Sequence, residues 1–182
     1  MALKIMVVSS PDRVDAAARI WAESTAARDG AENVAPLDLA RPLIQAVLDS
    51  SPRSMLLVAD DAGQTVGFAA VQPWGRAREN EPTAEIRYVG VSPRVWRRGV
   101  GRQLMAGVPG VLAEAGYKQA VLMVYLDNTG AVRLYEGLGW RAEGTSVPHP
   151  RTGRREQLYV LDCLNTGIST TCPGRARAGR RS

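Results

Sequence analysis

A strand that leads into a glycine-containing turn and then a helix is the feature that most constrains this chain. Residues 83–91 predict a strand, and residues 97–102 (RRGVGR) follow it. Leu104 and Val108 then begin an apolar repeat at helical spacing. Gly99 and Gly101 allow a tight turn and a close approach of backbone to a ligand. A helix that begins there presents unpaired N–H groups and the positive end of its dipole, so the segment predicts an anion site, most naturally for phosphate.

Four arginines surround this turn and favour a pyrophosphate as the ligand: Arg94, Arg97, Arg98 and Arg102. The pattern is neither the dinucleotide fingerprint, because residue 104 is leucine rather than glycine, nor a P-loop, because no Gly-Lys-Ser/Thr follows. A pair of glycines is weak evidence by itself. On this segment alone, a plain glycine turn beside solvated arginines explains the residues equally well.

The remaining pattern is mixed α and β within one domain. The 182 residues suit a single core, and we assign residues 1–164 to it. Strands are predicted near residues 4–9, 55–59, 65–71, 83–91, 119–126, 140–144 and 156–161, and helices near 11–25, 37–48, 99–116 and 129–138. Within the third helix, Pro109 predicts a kink or an early stop near Val108, because proline lacks the N–H donor and clashes with the preceding turn.

The basic character of the chain is concentrated in residues 165–182. The formal net charge is +5, and Arg175, Arg177, Arg180 and Arg181 supply most of it, leaving about +1 for the rest. Too few apolar residues remain in this segment to form a core, so we predict a disordered basic tail. We expect no nucleic-acid binding except weakly, through this tail. No apolar run is long enough to span a bilayer, which predicts a cytoplasmic protein without membrane attachment.

A second motif favours the interpretation of the glycine turn as a ligand-binding site. Residues 122–140 follow the pattern LxVxxxNxxAxxLYEGLGW. Taken with the AEI and RRGVG segments before it, the stretch from 84 to 140 resembles the GCN5-related N-acetyltransferase (GNAT) superfamily. One position departs from that family's Q/R-x-x-G-x-G/A turn, because Trp96 stands where glutamine or arginine is usual. The resemblance implies that backbone N–H groups still bind the pyrophosphate, and that the neighbouring Arg97 supplies a side-chain contact.

The resemblance implies a fold: a central mixed, mostly antiparallel α/β sheet of six to seven strands, flanked by about four helices and splayed between the fourth and fifth strands. It also implies an acyltransferase that moves the acetyl group of acetyl-CoA to a primary amine by direct attack in a ternary complex. The acceptor is a small-molecule amine or a peptide or protein amine. Dimers are frequent in the family, and no feature of the sequence decides whether this chain forms a homodimer.

The site residues come from the same resemblance. It implies that Tyr135 protonates the leaving thiolate and that Glu85 acts as general base, directly or through water. Cofactor-binding roles are implied for Val89, Val91, Arg97, Arg98, Gly99, Val100, Gly101, Arg102 and Asn128.

Alternatives remain for each role. Tyr135 could be a core residue, Asn128 a helix cap and Glu85 a solvated strand residue. The chain could also be a CoA-binding sensor without turnover, or an RNA-associated protein acting through its tail. The one histidine, His149, and the two cysteines, Cys163 and Cys172, have no metal-ligand spacing, and no metal is expected.

Overall fold

The computed structural model describes residues 3–75 and 82–163. Seven strands and four α-helices follow one another along these residues. In chain order they are β1 (Lys4–Val8), α1 (Pro11–Asp29), α2 (Leu37–Asp49), β2 (Met55–Asp61), β3 (Gln64–Pro73), β4 (Thr83–Val91), α3 (Val100–Glu114), β5 (Gln119–Tyr125), α4 (Thr129–Glu136), β6 (Arg141–Pro148) and β7 (Arg155–Asp162). The predicted tail over 165–182 and Cys172 lie outside the described residues.

All seven strands belong to one sheet in the order β1-β2-β3-β4-β5-β7-β6. Every neighbouring pair is antiparallel except β4 and β5, which are parallel and are joined through α3. A parallel pair needs such a crossover because a short turn cannot return the chain to the same end of the sheet. The mixed, mostly antiparallel sheet with four α-helices predicted from the sequence is confirmed.

The sheet separates two apolar layers because strand side chains alternate between its faces. On one face, α1 and α2 pack against Leu56, Val58, Phe68 and Ala70, all fully buried. On the opposite face, the larger core contains Leu57 and Ala69 together with residues of α3, α4 and β5. The alternation within β2 and β3 thus sends neighbouring residues into different cores.

The pairing of β4 with β5 is short, and this positions the candidate site. Thr83, Ala84 and Glu85 pair with Gln119, Ala120 and Val121, and no further pairs follow. On its other side β4 continues to pair with β3 up to Val91, with a register shift at Arg87. The two central strands therefore separate after Glu85, as the predicted splay between the fourth and fifth strands requires, and the facing edge of β4 keeps backbone groups without a β5 partner.

Pro109 does not end α3, so the early stop predicted near Val108 is wrong. The helix is continuous from Val100 to Glu114. An interior proline costs about 3 kcal/mol in a regular helix. Here Val108, Pro109 and Leu112 are all buried, and burial of large apolar side chains contributes about 1.5–3 kcal/mol each. Packing against the sheet thus offsets the lost hydrogen bond.

Among the described helices, none combines the length and apolar character that a membrane crossing requires.

Candidate functional site

The turn between β4 and α3 has the backbone geometry of an anion cradle. A single 3-10 turn, Pro93–Val95, follows β4. Gly99 then adopts a left-handed conformation with φ of 78°, and α3 begins at Val100. The first bond back to the turn runs from the Gln103 N–H to the Gly99 carbonyl, at 3.0 Å. The N–H groups of residues 100–102 therefore precede the regular helical pattern and are available to a ligand.

Arg97 is held in the same left-handed region, with φ of 63°. A non-glycine residue there carries a backbone cost and is uncommon outside turns and functional sites. The two left-handed residues, Arg97 and Gly99, flank Arg98 and shape the loop. The turn predicted from the glycine pair is present, the sequence did not indicate a left-handed arginine, and ligand binding by the turn stays a prediction.

Trp96 ties this turn to the end of β4. Its indole Nε1–H donates a hydrogen bond to the Val91 carbonyl at 2.7 Å, while 41% of the residue stays exposed. The indole N–H of Trp96 thus forms a hydrogen bond within the loop itself. Trp96 supplies a fixed loop geometry where the usual family residue would supply an amide or guanidinium side chain.

A cavity of about 400 Å³, called here the inner cavity, occupies the gap between β4 and β5. It is bounded by β4, β5, α1, α4 and the loop between β6 and β7. The predicted site residues Glu85, Val89, Asn128 and Tyr135 all line it. The structure therefore brings together residues that the sequence separates by up to fifty positions.

Tyr135 lies on α4 and is almost completely buried, with 7% of its surface exposed. Its ring packs 6.0 Å from that of Trp140, and its burial raises the pKa of the phenol to about 12. Across the described residues, no hydrogen bond engages its hydroxyl. Tyr135 is thus both a core residue and a protonated phenol at the wall of the inner cavity, so the two interpretations of this residue are compatible.

Asn128 caps α4. Its side-chain oxygen accepts a hydrogen bond from the Ala131 N–H at 3.3 Å. The same residue lines the inner cavity. An N-cap side chain bonds through its carbonyl oxygen and leaves its amide NH₂ free to donate, so capping and ligand contact do not compete.

Glu85 lies where β4 and β5 part, and its carboxylate is already engaged. The Gln72 side-chain amide donates to it at 2.7 Å, and the Arg87 guanidinium lies 3.7 Å away. Glu85 lines both the inner cavity and a second one of about 540 Å³, called the outer cavity, which extends over β5, β7 and β6. A general base at this position would have to exchange protons while keeping the Gln72 contact.

Sequence reasoning missed Glu156, which also lines both cavities. It lies on β7, paired with Tyr125 of β5 and Val147 of β6. The segment that contains it predicts a closing strand and nothing more, because its place beside the gap depends on strand pairing. No local signal marks it as a site residue.

Arg154, which was also missed, connects segments that border the inner cavity. Its guanidinium makes two hydrogen bonds to Asp127, at 2.6 and 2.8 Å, and one to Asp29 at 3.1 Å. It also lies 4.1 Å from the centre of the Tyr125 ring. These contacts join the end of α1, the end of β5 and the loop between β6 and β7, three segments that border the cavity.

Arg154→Met should lower the melting temperature by about 2–4 °C, because a bidentate and stacked pair contributes more than a simple surface ion pair. The Arg154 hydrogen bond holds the pKa of Asp127 below its usual value. This stabilisation is therefore full above the ordinary carboxyl pKa of 3.8 and is lost as the pH falls through the lower folded value.

Thermal melts from pH 3 to pH 8 measure this effect. The difference in melting temperature between wild type and Arg154→Met should be constant near neutral pH and should shrink toward pH 3. Arg151→Met is the control, since Arg151 is exposed and lies on the same loop. Equal losses in both variants, or a difference that persists unchanged at pH 3, would contradict the role of the ion pair.

Among the described residues, no three histidine, cysteine, aspartate or glutamate side chains form a group that could bind a metal ion.

Comparison with solved structures supports the fold. The ribosomal-protein-S18-alanine N-acetyltransferase of Escherichia coli superposes with a TM-score of 0.68 at 22% identity, covering 89% of this chain and 94% of that one. The yncA protein of Salmonella typhimurium, solved with its cofactor acetyl-CoA, superposes with a TM-score of 0.65 at 19% identity, covering 94% and 100%. At these identities the likeness concerns the fold alone.

Curated relatives match over part of their length. The mycothiol acetyltransferase of Clavibacter sepedonicus is 34% identical over 100 residues, which cover 55% of this chain and 31% of that protein. The phosphinothricin N-acetyltransferase of Streptomyces viridochromogenes is 36% identical over 89 residues, covering 49% and 48%. The chain thus spans about a third to a half of these relatives. The family model for the Acetyltransferase (GNAT) family matches residues 17–140, about two thirds of the chain, and the chain therefore belongs to this family.

Proposed function

We propose that this protein transfers the acetyl group of acetyl-CoA to a primary amine, by direct attack while both substrates are bound. The observation that carries the proposal is the arrangement around β4. The strand leaves its parallel partner after Glu85 and leads into the N–H cradle at the start of α3, and a buried phenol faces the gap so formed. An elongated thioester with an anionic end matches this arrangement.

The residues present fit acetyl-CoA at both of its ends. The N–H groups of residues 100–102, next to Gly99, and the guanidinium groups of Arg97, Arg98 and Arg102 would bind the pyrophosphate. Along the gap, the backbone of Val89 and Val91 would hydrogen-bond the pantetheine arm as a strand would, and the amide of Asn128 would contact it. When bound, acetyl-CoA supplies an activated acyl group on a thiol leaving group.

Tyr135 is the donor that we assign to the leaving sulfur. With a pKa of about 12, its phenol stays protonated throughout the physiological range. This value is roughly three units above that of an ordinary thiol. Complete proton transfer to a thiolate is therefore unfavourable, and the phenol acts by donating a hydrogen bond to the developing negative charge.

The acceptor amine must lose a proton before it attacks. An alkylamine with a pKa near 10.4 is almost wholly charged at pH 7, which adds roughly 4–5 kcal/mol to the barrier. Glu85 is the candidate base, because it lies at the branch point of β4 and β5 and lines both cavities. Proton uptake through a water molecule would leave its contact with Gln72 in place.

The names of the two relatives refer to mycothiol and to phosphinothricin, and neither compound is assigned to this chain. The proposed acceptor class is a primary amine, on a small molecule or on a peptide. A cytoplasmic location, and homodimerisation as an open alternative to a monomer, remain predictions from the sequence.

Thiol release from acetyl-CoA, measured with a panel of amines and peptides, tests the proposal. Turnover with at least one amine, and tight binding of acetyl-CoA by calorimetry, are the expected results. Tight binding without thiol release on any member of a broad panel would favour a CoA sensor instead. Failure to bind acetyl-CoA at all would overturn the proposal.

A further inference from the structure

We infer that Glu156 binds the ammonium group of the acceptor, and that the outer cavity selects cationic amines attached to an apolar body. This inference rests on the proposed function, because it names the acceptor class of the same site. Its first support is position. Glu156 is one of two carboxylates that line both cavities, and the other is Glu85.

The strand register points both carboxylates to one face of the sheet. Glu85 pairs with Val121, and four residues further along β5 Tyr125 pairs with Glu156. Paired residues share a face, and so do residues two apart along a strand. The side chains of Glu85, Met123 and Glu156 therefore emerge on the face that α1 and α2 cover over β2, β3 and β4. Val121 and Leu158, which also line the outer cavity, lie on the same face of the sheet.

The two carboxylates differ in their partners. Glu85 accepts a hydrogen bond from Gln72 and lies next to Arg87. Glu156 is partly buried, and within residues 3–75 and 82–163 it has neither an ion pair nor a side-chain hydrogen bond. A partly buried carboxylate without a partner loses hydration that a cation can replace. A protonated amine is the cation that the proposed reaction brings to this point.

The charges and apolar side chains of the outer cavity define the acceptor further. Its described lining contains two partly buried carboxylates, Glu85 and Glu156, and two exposed charged groups, the carboxylate of Glu143 and the guanidinium of Arg87, whose charges the solvent screens. A second anionic group on the acceptor, such as an adjacent carboxylate, would be repelled. The rest of the lining is largely apolar and includes Val121, Leu122, Met123, Val147 and Leu158. An ammonium group next to an aliphatic or aromatic body complements this surface.

Three small probes of one carbon skeleton separate these requirements at pH 6.5, where an α-amine is charged. Leucinamide carries the ammonium group alone, leucine adds a carboxylate, and 4-methylpentanamide lacks the amine. Their dissociation constants are measured by NMR titration with wild type, Glu156→Gln and the control Glu143→Gln. Glu143 lines only the outer cavity and is exposed.

Wild type should bind leucinamide at least tenfold more tightly than either other probe. Glu156→Gln should weaken leucinamide binding about tenfold and remove the preference, and Glu143→Gln should change it less than threefold. With a turned-over amine, Glu156→Gln should raise KM more than it lowers kcat. The inference would be overturned if leucinamide did not bind to wild type, or if Glu156→Gln bound it as tightly as wild type does. It would also be overturned if Glu143→Gln weakened leucinamide binding as much as Glu156→Gln does.

Acetyl-CoA binding, measured on the same variants by calorimetry, separates this inference from the proposed function. Glu156→Gln should bind acetyl-CoA as wild type does. If acetyl-CoA binds normally and the amine preference is absent, only the role of Glu156 fails. If acetyl-CoA does not bind to wild type, the proposed function fails, whatever the amine titrations give.

Discussion

Replacing Gly101 with aspartate should weaken acetyl-CoA binding at least a hundredfold while leaving the fold intact. Gly101 is the second residue of α3 and supplies one of the free N–H groups of the cradle. A carboxylate there places a negative charge beside the pyrophosphate. Two unit charges about 4 Å apart repel by roughly 4 kcal/mol at the effective dielectric near a protein surface, which corresponds to about a thousandfold in affinity.

The same substitution should not destabilise the protein, and this makes the result interpretable. An acidic residue in the first turn interacts favourably with the helix dipole, by about 0.3–1 kcal/mol. Replacing glycine within a helix also reduces the entropy lost on folding. The melting temperature of Gly101→Asp should therefore equal or exceed that of wild type, even as calorimetry shows the loss of acetyl-CoA binding.

Two matched variants separate charge from size. An alanine Cβ at position 101 would lie 3.5 Å from a Leu134 methyl group and 3.6 Å from one of Val91, which is ordinary contact. Gly101→Ala should therefore bind acetyl-CoA within about threefold of wild type. Gly101→Asn has the size of aspartate without its charge and should fall between the two. If the asparagine and aspartate variants bind equally, repulsion of the pyrophosphate is not the cause.

How far the sequence predicts this molecule depends on how local each signal is. The cradle follows from Gly99 and Gly101 and from the helical repeat behind them, all within a few residues. The cap at Asn128 and the buried phenol of Tyr135 belong to one short helix with a recognisable pattern. The roles of Asn128 and Tyr135 were predicted through the resemblance of this short pattern to the family, and a short pattern can be recognised without knowledge of the rest of the chain.

The features that were missed depend on contacts distant in sequence. Glu156 reaches the gap only because β7 pairs with β5, and Arg154 joins three segments that no local pattern connects. The early stop predicted at Pro109 does not occur, for the related reason that burial against the sheet outweighs a local backbone rule. For Trp96, the residue type shows the departure from the family turn, but its bond to the Val91 carbonyl requires the folded loop.

Replacing Tyr135 with phenylalanine should reduce kcat by roughly 10- to 100-fold without weakening acetyl-CoA binding. The ring stays in the core, and only the hydroxyl is removed. A hydrogen bond to a charged group contributes about 1.5–3 kcal/mol, and here that group is the departing sulfur. Since the described residues show no protein partner for this hydroxyl, the free energy of unfolding should change little.

Tyr159→Phe provides the control, because it removes a hydroxyl from another buried tyrosine of the same core. The Tyr159 hydroxyl donates to Glu136 at 2.9 Å and does not line either cavity. This variant should lose stability and keep kcat, the reverse of Tyr135→Phe. Steady-state thiol release and thermal melts on both variants measure the two effects. If Tyr135→Phe keeps the wild-type kcat, or if both variants lose kcat equally, the hydroxyl of Tyr135 takes no part in the reaction. Tyr135 would then have a role in packing alone.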